Sequence, residues 1–191
     1  MRVVIDTCSL LSLARYYLPF DNDQVLYNFI KKRVANNEII IIDKVFRECG
    51  KVAEGLVIDS LHFLSEKPFT KAAKIPYDTS TLVAPDPKDL FHKIDTLFTN
   101  HDIIRKRGLD SAEYESQIYR FIKSADMTQI IFCLRMLEDR VPIALVTEET
   151  EYNNDNKPFK KIPAICSELG IRTMTLPEYL KLSEGINLTF I

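Results

Sequence analysis

The opening stretch MRVVIDTCSLLSLAR, residues 1–15, decides the reading of the fold. Val3-Val4-Ile5 is a short, continuous apolar run, as expected of a strand covered on both faces. It ends on Asp6, and apolar residues at helical spacing follow at once. This predicts a buried strand with a carboxylate at its carboxyl end, the edge of an open α/β sheet where ligands bind. The same grammar returns late in the chain, where Ile143-Ala144-Leu145-Val146 runs into Thr147-Glu148-Glu149.

Working outward, residues 38–42 predict a second buried strand and residues 171–174 a last one. Helical patterns fill the intervals at 8–18 and 22–36, broken at Pro19, and at 125–138, 160–169 and 177–183. After the second strand, Asp43 reads as an N-cap. A helix then runs from Val45 to Ala53 or beyond, with Val45, Cys49, Val52, Ala53 and Leu56 as its buried stripe. Helical pattern continues over 55–65. Residues 67–85, with Pro68, Pro76 and Pro85, predict a loop. Residues 86–123 are charged and mostly helical, interrupted near Gly108. The alternation predicts an α/β protein, a mainly parallel sheet between helices. Its 191 residues suit a single domain, with a mostly helical elaboration at about 67–123.

Composition narrows the function. The formal net charge is −2, so no global basic field exists, and a nucleic acid would have to be held by local lysine and arginine clusters. The four cysteines are scattered, with no Cys-x-x-Cys pair. With no secretory signal and no long apolar run, they predict a reduced, cytoplasmic protein that engages no membrane. Cys-x5-Arg phosphatase chemistry is disfavoured, because Ala14 stands where the arginine belongs. A haloacid-dehalogenase-type Asp-x-Asp is excluded by Cys8. Gly50-Lys51 lacks the rest of a phosphate loop, and no dinucleotide fingerprint is present.

Four acids remain. On the helix after strand two, Glu48 falls about 40° to the side of Val52, at the border of the apolar face. Asp126 lies in the first turn of its helix, beside Ile130 and Leu137. Both lean toward the protein near the starts of their helices, on the sheet edge that carries Asp6 and Glu149. Each acid alone has an ordinary explanation as a cap, a flank or a polar loop residue. Together in one cleft they would repel one another and raise their pKa values. A divalent cation removes that conflict, and oxygen-only ligation suits Mg²⁺ or Mn²⁺. Cys8 and Cys49 read as small core residues, and His62, His92 and His101 as peripheral.

Ile5-Asp6-Thr7-Cys8-Ser9-Leu10-Leu11, Glu48, Ala125-Asp126-Met127-Thr128-Gln129-Ile130 and Val146-Thr147-Glu148-Glu149, in this order, resemble the motifs of the PIN-domain family. Lys161-Ile162-Pro163 and Leu169-Gly170-Ile171 resemble its closing helix and strand. The resemblance covers about 1–56 and 124–183. It implies a Rossmann-like three-layer α/β/α sandwich and a Mg²⁺- or Mn²⁺-dependent endoribonuclease. Asp6, Glu48, Asp126 and Glu149 would bind the metal, with Thr7 and Thr147 supporting them. It also implies an RNA substrate and, in the bacterial toxin type, a silencing antitoxin. A homodimer would juxtapose two clefts. The family's fourth acid is usually Asp, so Glu148, Glu149 and Glu151 all stay open for that role. Lys44, Arg47, Lys51, Lys157, Lys160 and Lys161 are candidates to hold the RNA backbone. Arg105-Lys106-Arg107 reads either as a contact to nucleic acid or as a helix-end cap, the cap being favoured. The competing expectation is a PIN-like scaffold or RNA-binding module without catalysis.

Overall fold

The computed structural model describes residues 1–150, 156–183 and 186. Four strands, β1 (Arg2–Ile5), β2 (Ile39–Ile40), β3 (Ile143–Val146) and β4 (Arg172–Met174), form one all-parallel sheet in the order β2-β1-β3-β4. Val4 lies opposite Ile40 on one side and Leu145 on the other. Val3, Val4 and Ile5 are fully buried, and β3 is buried throughout, as the continuous apolar runs require of strands covered on both faces. The fold is thus α/β, a parallel sheet sandwiched by helices, and its core is the sheet with the helix faces packed on it.

The helices are α1 (Thr7–Ser12), α2 (Val25–Ala35), α3 (Asp43–Cys49), α4 (Leu56–Ser60), α5 (Lys67–Ala73), α6 (Pro87–Lys93), α7 (His101–Lys106), α8 (Ser111–Ile122), α9 (Ala125–Glu138), α10 (Ile162–Glu168) and α11 (Leu176–Leu182). Among the described residues none is long and apolar enough to cross a membrane. Strand order determines where a ligand can sit. The chain passes from β1 to β2 on one side, then crosses over for β3 on the other. The order therefore reverses between β1 and β3, and a crevice opens at their carboxyl ends. Asp6 follows β1 there, and Thr147 follows β3.

Four expectations need correction. The helix after β2 does not run to Ala53: α3 ends at Cys49, and Ala53, Glu54 and Gly55 take left-handed backbone conformations that turn the chain into α4. Val52, placed in the buried stripe, is exposed. Asp43 is the first residue of α3 and not its cap; its carboxylate accepts from the Thr79 hydroxyl and pairs with Arg47. Residues 67–73 form α5 and not a loop. Pro68 sits in the first helical turn, where its missing N–H costs nothing, so it starts a helix and does not break one. The interruption near Gly108 is present, with Gly108 at φ +64° between α7 and α8.

Candidate active site

Asp6 is the centre of the crevice. It caps α1 from an extended backbone, and its own amide donates to Val146 O at 2.9 Å, which ties the end of β1 to β3. Its carboxylate is 6% exposed and accepts four hydrogen bonds. Oδ1 takes Thr7 N at 2.7 Å and Gln129 Nε2 at 3.0 Å. Oδ2 takes Cys8 Sγ at 2.8 Å and Thr147 Oγ1 at 3.2 Å. A buried carboxylate is costly unless it is hydrogen-bonded, and here the donors come from β1's end, α9 and the end of β3.

The other acids are placed from separate elements. Thr7 Oγ1 donates to Glu48 Oε2 at 2.7 Å, so Thr7 joins Asp6, through its amide, to Glu48, through its hydroxyl. Glu48 lies in the last turn of α3, not near its start. Asp126 stands in the first turn of α9, behind the Ser124 cap. Half-buried, it receives no hydrogen bond among the described residues. Burial first, then the charges of Asp6, Glu149 and Glu48, push its pKa up to about 7, and Lys157 pulls the other way. A helix amino terminus should lower that value; desolvation and three like charges overcome it. The field at Asp126 also shows that the four acids named from the sequence share one neighbourhood.

The described candidates for the fourth acid, Glu148 and Glu149, turn in different directions. Glu149 faces Asp126 and also accepts from Ile162 N, at the start of α10, at 3.1 Å. Glu148 turns away. It accepts from Leu176 N, at the start of α11, at 2.7 Å and from Ser9 Oγ at 3.4 Å, and so fastens α11 to the sheet edge. Glu151 lies outside the described residues.

Two site residues escaped the sequence reading. Gln129 is fully buried; its Nε2 holds Asp6, while its Oε1 has no hydrogen-bond partner among the described residues. The available signal was its i+3 spacing from Asp126, which puts both on one helix face. Cys8 is no mere core filler. Its thiol donates to Asp6 and its sulfur accepts from Glu148 N at 3.2 Å, which bridges β1 and β3. Burial and the Asp6 charge push the Cys8 pKa up to about 12, and Cys49 is raised likewise, so both keep their protons.

The donor set fits a hard divalent cation: four carboxylates and, among the described residues, one acid without hydrogen bonds and one unpartnered amide oxygen. The fit is in kind only. Among the described residues, no three such side chains already form a metal cage.

The basic candidates divide. Lys44 Nζ donates to Lys123 O and to Thr128 Oγ1, each at 2.7 Å, and so clamps α3 to α9. Lys44→Met should therefore cost about 1–3 kcal/mol of stability, read as a lower urea midpoint; an unchanged midpoint would mean that Lys44 does not hold the two helices together. Arg47 is paired with Asp43 within α3. Lys51 is exposed past the end of that helix. Lys157, Lys160 and Lys161 line a cleft of about 150 Å³ together with Asp126 and Glu149, and the stacked Phe121–Phe159 pair forms its wall. His62, His92 and His101 are all exposed. Arg105 pairs with Asp102 in α7, and Arg107 donates to Asn156 O at 2.6 Å.

No protein-family model matches the chain, and no curated protein or solved structure matches it either.

Proposed function

We propose that this chain is a Mg²⁺- or Mn²⁺-dependent endoribonuclease of PIN-like type, cutting RNA at the crevice between β1 and β3. The observation that carries this reading is the convergence of Asp6, Glu48, Asp126 and Glu149 from four elements onto one sheet edge at the order reversal, close enough that three of them shift the fourth. Asp6, Glu48, Asp126 and Glu149 would hold the metal. When bound, the ion would supply Lewis acidity, activating water and neutralising charge that builds on the phosphoryl oxygens.

The chain's own residues do the rest. Thr7, Gln129, Cys8 and Thr147 fix both oxygens of Asp6, and Thr7 also orients Glu48. The Ile162 amide orients Glu149. Without a cation, Asp126 is partly protonated around pH 7, and positive charge in the cleft would favour its ionised form. Lys157, Lys160 and Lys161 on the rim offset phosphate charge, which a chain of net charge −2 can do only locally. An antitoxin protein or a second copy of the chain would belong to the same reading if the protein acts as a toxin.

A second reading is a metal-free PIN-like scaffold. The full set of donors on Asp6 and the lack of a ready-made cage among the described residues favour it. Cleavage of total cellular RNA with Mg²⁺, with Mn²⁺ and with EDTA separates the two. Metal-dependent, discrete products are expected from wild type and from Glu148→Gln, whose amide oxygen still accepts from Leu176 N. Glu149→Gln should lose them. Folded wild-type protein that leaves RNA intact with both metals would select the scaffold, and cleavage that is equal in EDTA would overturn the metal-dependent reading.

A further inference from the structure

The helical elaboration is joined to the site by main-chain hydrogen bonds. Asn100 N donates to Pro158 O at 2.7 Å and Lys160 N to Phe98 O at 2.8 Å, and Thr99 pairs antiparallel with Phe159. Arg107 adds a side-chain bond to Asn156 O. This short ribbon fixes the backbone from which Lys160 and Lys161 project. On its far side a second cleft opens, about 460 Å³ in volume, between the start of α7 and α10. That size lies within the range of sites that take small organic ligands, about 300–1,000 Å³.

Lys160 and Lys161 border both clefts, so the second continues from the carboxylates. Its walls are Asn100, His101 and Asp102 on one side and Ala164 on the other. The Asp102 carboxylate is paired with Arg105, and Lys160 reaches Glu168 only at 3.9 Å, so the net character of the lining is basic and hydrogen-bonding. One His101 ring nitrogen bonds Asp95 O at 2.8 Å, and the ring lies against Tyr114 at 6.2 Å. Asn100 is oriented by its bond from Ile103 N. The near cleft presents the Phe121–Phe159 stack, ring centroids 4.1 Å apart and 5° from parallel. A strand that presents one phosphate to the carboxylates must carry its next phosphate and base over adjoining surface. Lysines for the phosphate, and aromatic or hydrogen-bonding groups for the base, are what single-stranded nucleic acid requires.

We infer that the cleft between Asn100–Asp102 and Lys160–Ala164 is a nucleotide subsite, which takes the residue of single-stranded RNA adjacent to the phosphate held at the carboxylates. The inference rests on the nuclease reading for its choice of RNA. It gives the elaboration a role: it builds the second wall of the substrate groove.

The test is binding of a fluorescein-labelled, single-stranded RNA of about twelve nucleotides in EDTA, followed by steady-state cleavage with Mn²⁺. Ala164→Trp fills the cleft; the Lys160→Ala/Lys161→Ala pair and His101→Ala strip its rim without adding bulk. Circular dichroism checks that each folds. The expected result is a loss of binding of about tenfold for the first two and about threefold for the third, with KM raised and kcat nearly kept, as removal of uniform binding predicts. If folded Ala164→Trp and the lysine pair bind and cleave like a competent wild type, the subsite is wrong and the nuclease reading stands. If wild type neither binds nor cuts RNA, both fail. Binding that follows the expected order in a wild type that does not cut upholds the subsite and overturns the nuclease.

Discussion

Asp6→Asn is expected to lower metal-dependent RNA cleavage by at least about 10³-fold, the several kcal/mol that a metal site supplies to a phosphoryl transition state, while the protein stays folded. The hydrogen bonds explain why the two effects separate. Asparagine keeps one carbonyl oxygen, which still accepts from Thr7 N, caps α1 and meets Gln129 Nε2. Its amide would face Cys8 Sγ and Thr147 Oγ1, and a hydroxyl and a thiol can turn to accept. The charge is gone, but no buried donor is orphaned. Asp6→Leu is the contrast. It strands Thr7 N, Gln129 and Thr147 together, at about 1–3 kcal/mol for each buried group left unpaired. Side-by-side thermal melts and cleavage assays read both. Asp6→Asn that cuts RNA at the wild-type rate, in protein free of contaminating nuclease, would remove Asp6 from the site.

Asp126→Asn is expected to stabilise the metal-free protein while abolishing its activity. The Asp126 pKa is raised from an ordinary 3.8 to about 7, chiefly by burial and then by Asp6, Glu149 and Glu48. The folded state therefore binds this proton more tightly than the unfolded state. The stability it contributes is complete below about pH 4 and is lost as pH rises through about 7. Above that, the ionised group opposes folding by about 2–4 kcal/mol, after allowance for its partial exposure to water. Asparagine does not ionise, so variant and wild type should have similar stability in acid and diverge between about pH 4 and pH 7, with the variant ahead at pH 8. Adding Mn²⁺ at pH 8 should close the gap by stabilising wild type alone, because only the wild-type cleft keeps its full charge. Urea unfolding across this range is the measurement. An Asn variant that is no more stable than wild type at pH 8 would mean that the acids do not crowd Asp126.

Under the proposed function, stability and activity would oppose each other at this edge of the sheet, where like charges are gathered. Gln129 and Thr7 limit the conflict. They fix Asp6 and Glu48 with neutral donors and leave Asp126, without such donors, to carry the strain.

Much of the architecture was legible along the chain. Apolar runs at 3–5 and 143–146 that end on polar residues identify parallel strands and their carboxyl edge, because a strand covered on both faces has no polar alternation. The span of α9 from Ala125 to Glu138 follows from its apolar period. Glu48 shows the limit. Its inward lean was read from a stripe that included Val52, yet α3 stops at Cys49, and the Thr7 hydroxyl, 41 positions away in sequence, is what orients the acid. Pro68 was read as a breaker because a proline that ends one helix and a proline that opens the next look alike until the register is known.

The sequence by itself determined the α/β class, the strand-end acids and the chemistry that an oxygen-only set of carboxylates can support. These follow from local periodicity, caps and side-chain type, which act over a few residues. Only the tertiary structure decided that Glu149 faces Asp126 while Glu148 anchors α11, that Gln129 holds Asp6, that Lys44 turns inward, and that residues 98–100 bond to residues 158–160. Each of these depends on which donor reaches which acceptor across a long stretch of chain. Sheet order and helix packing decide that, and no spacing along the sequence records it.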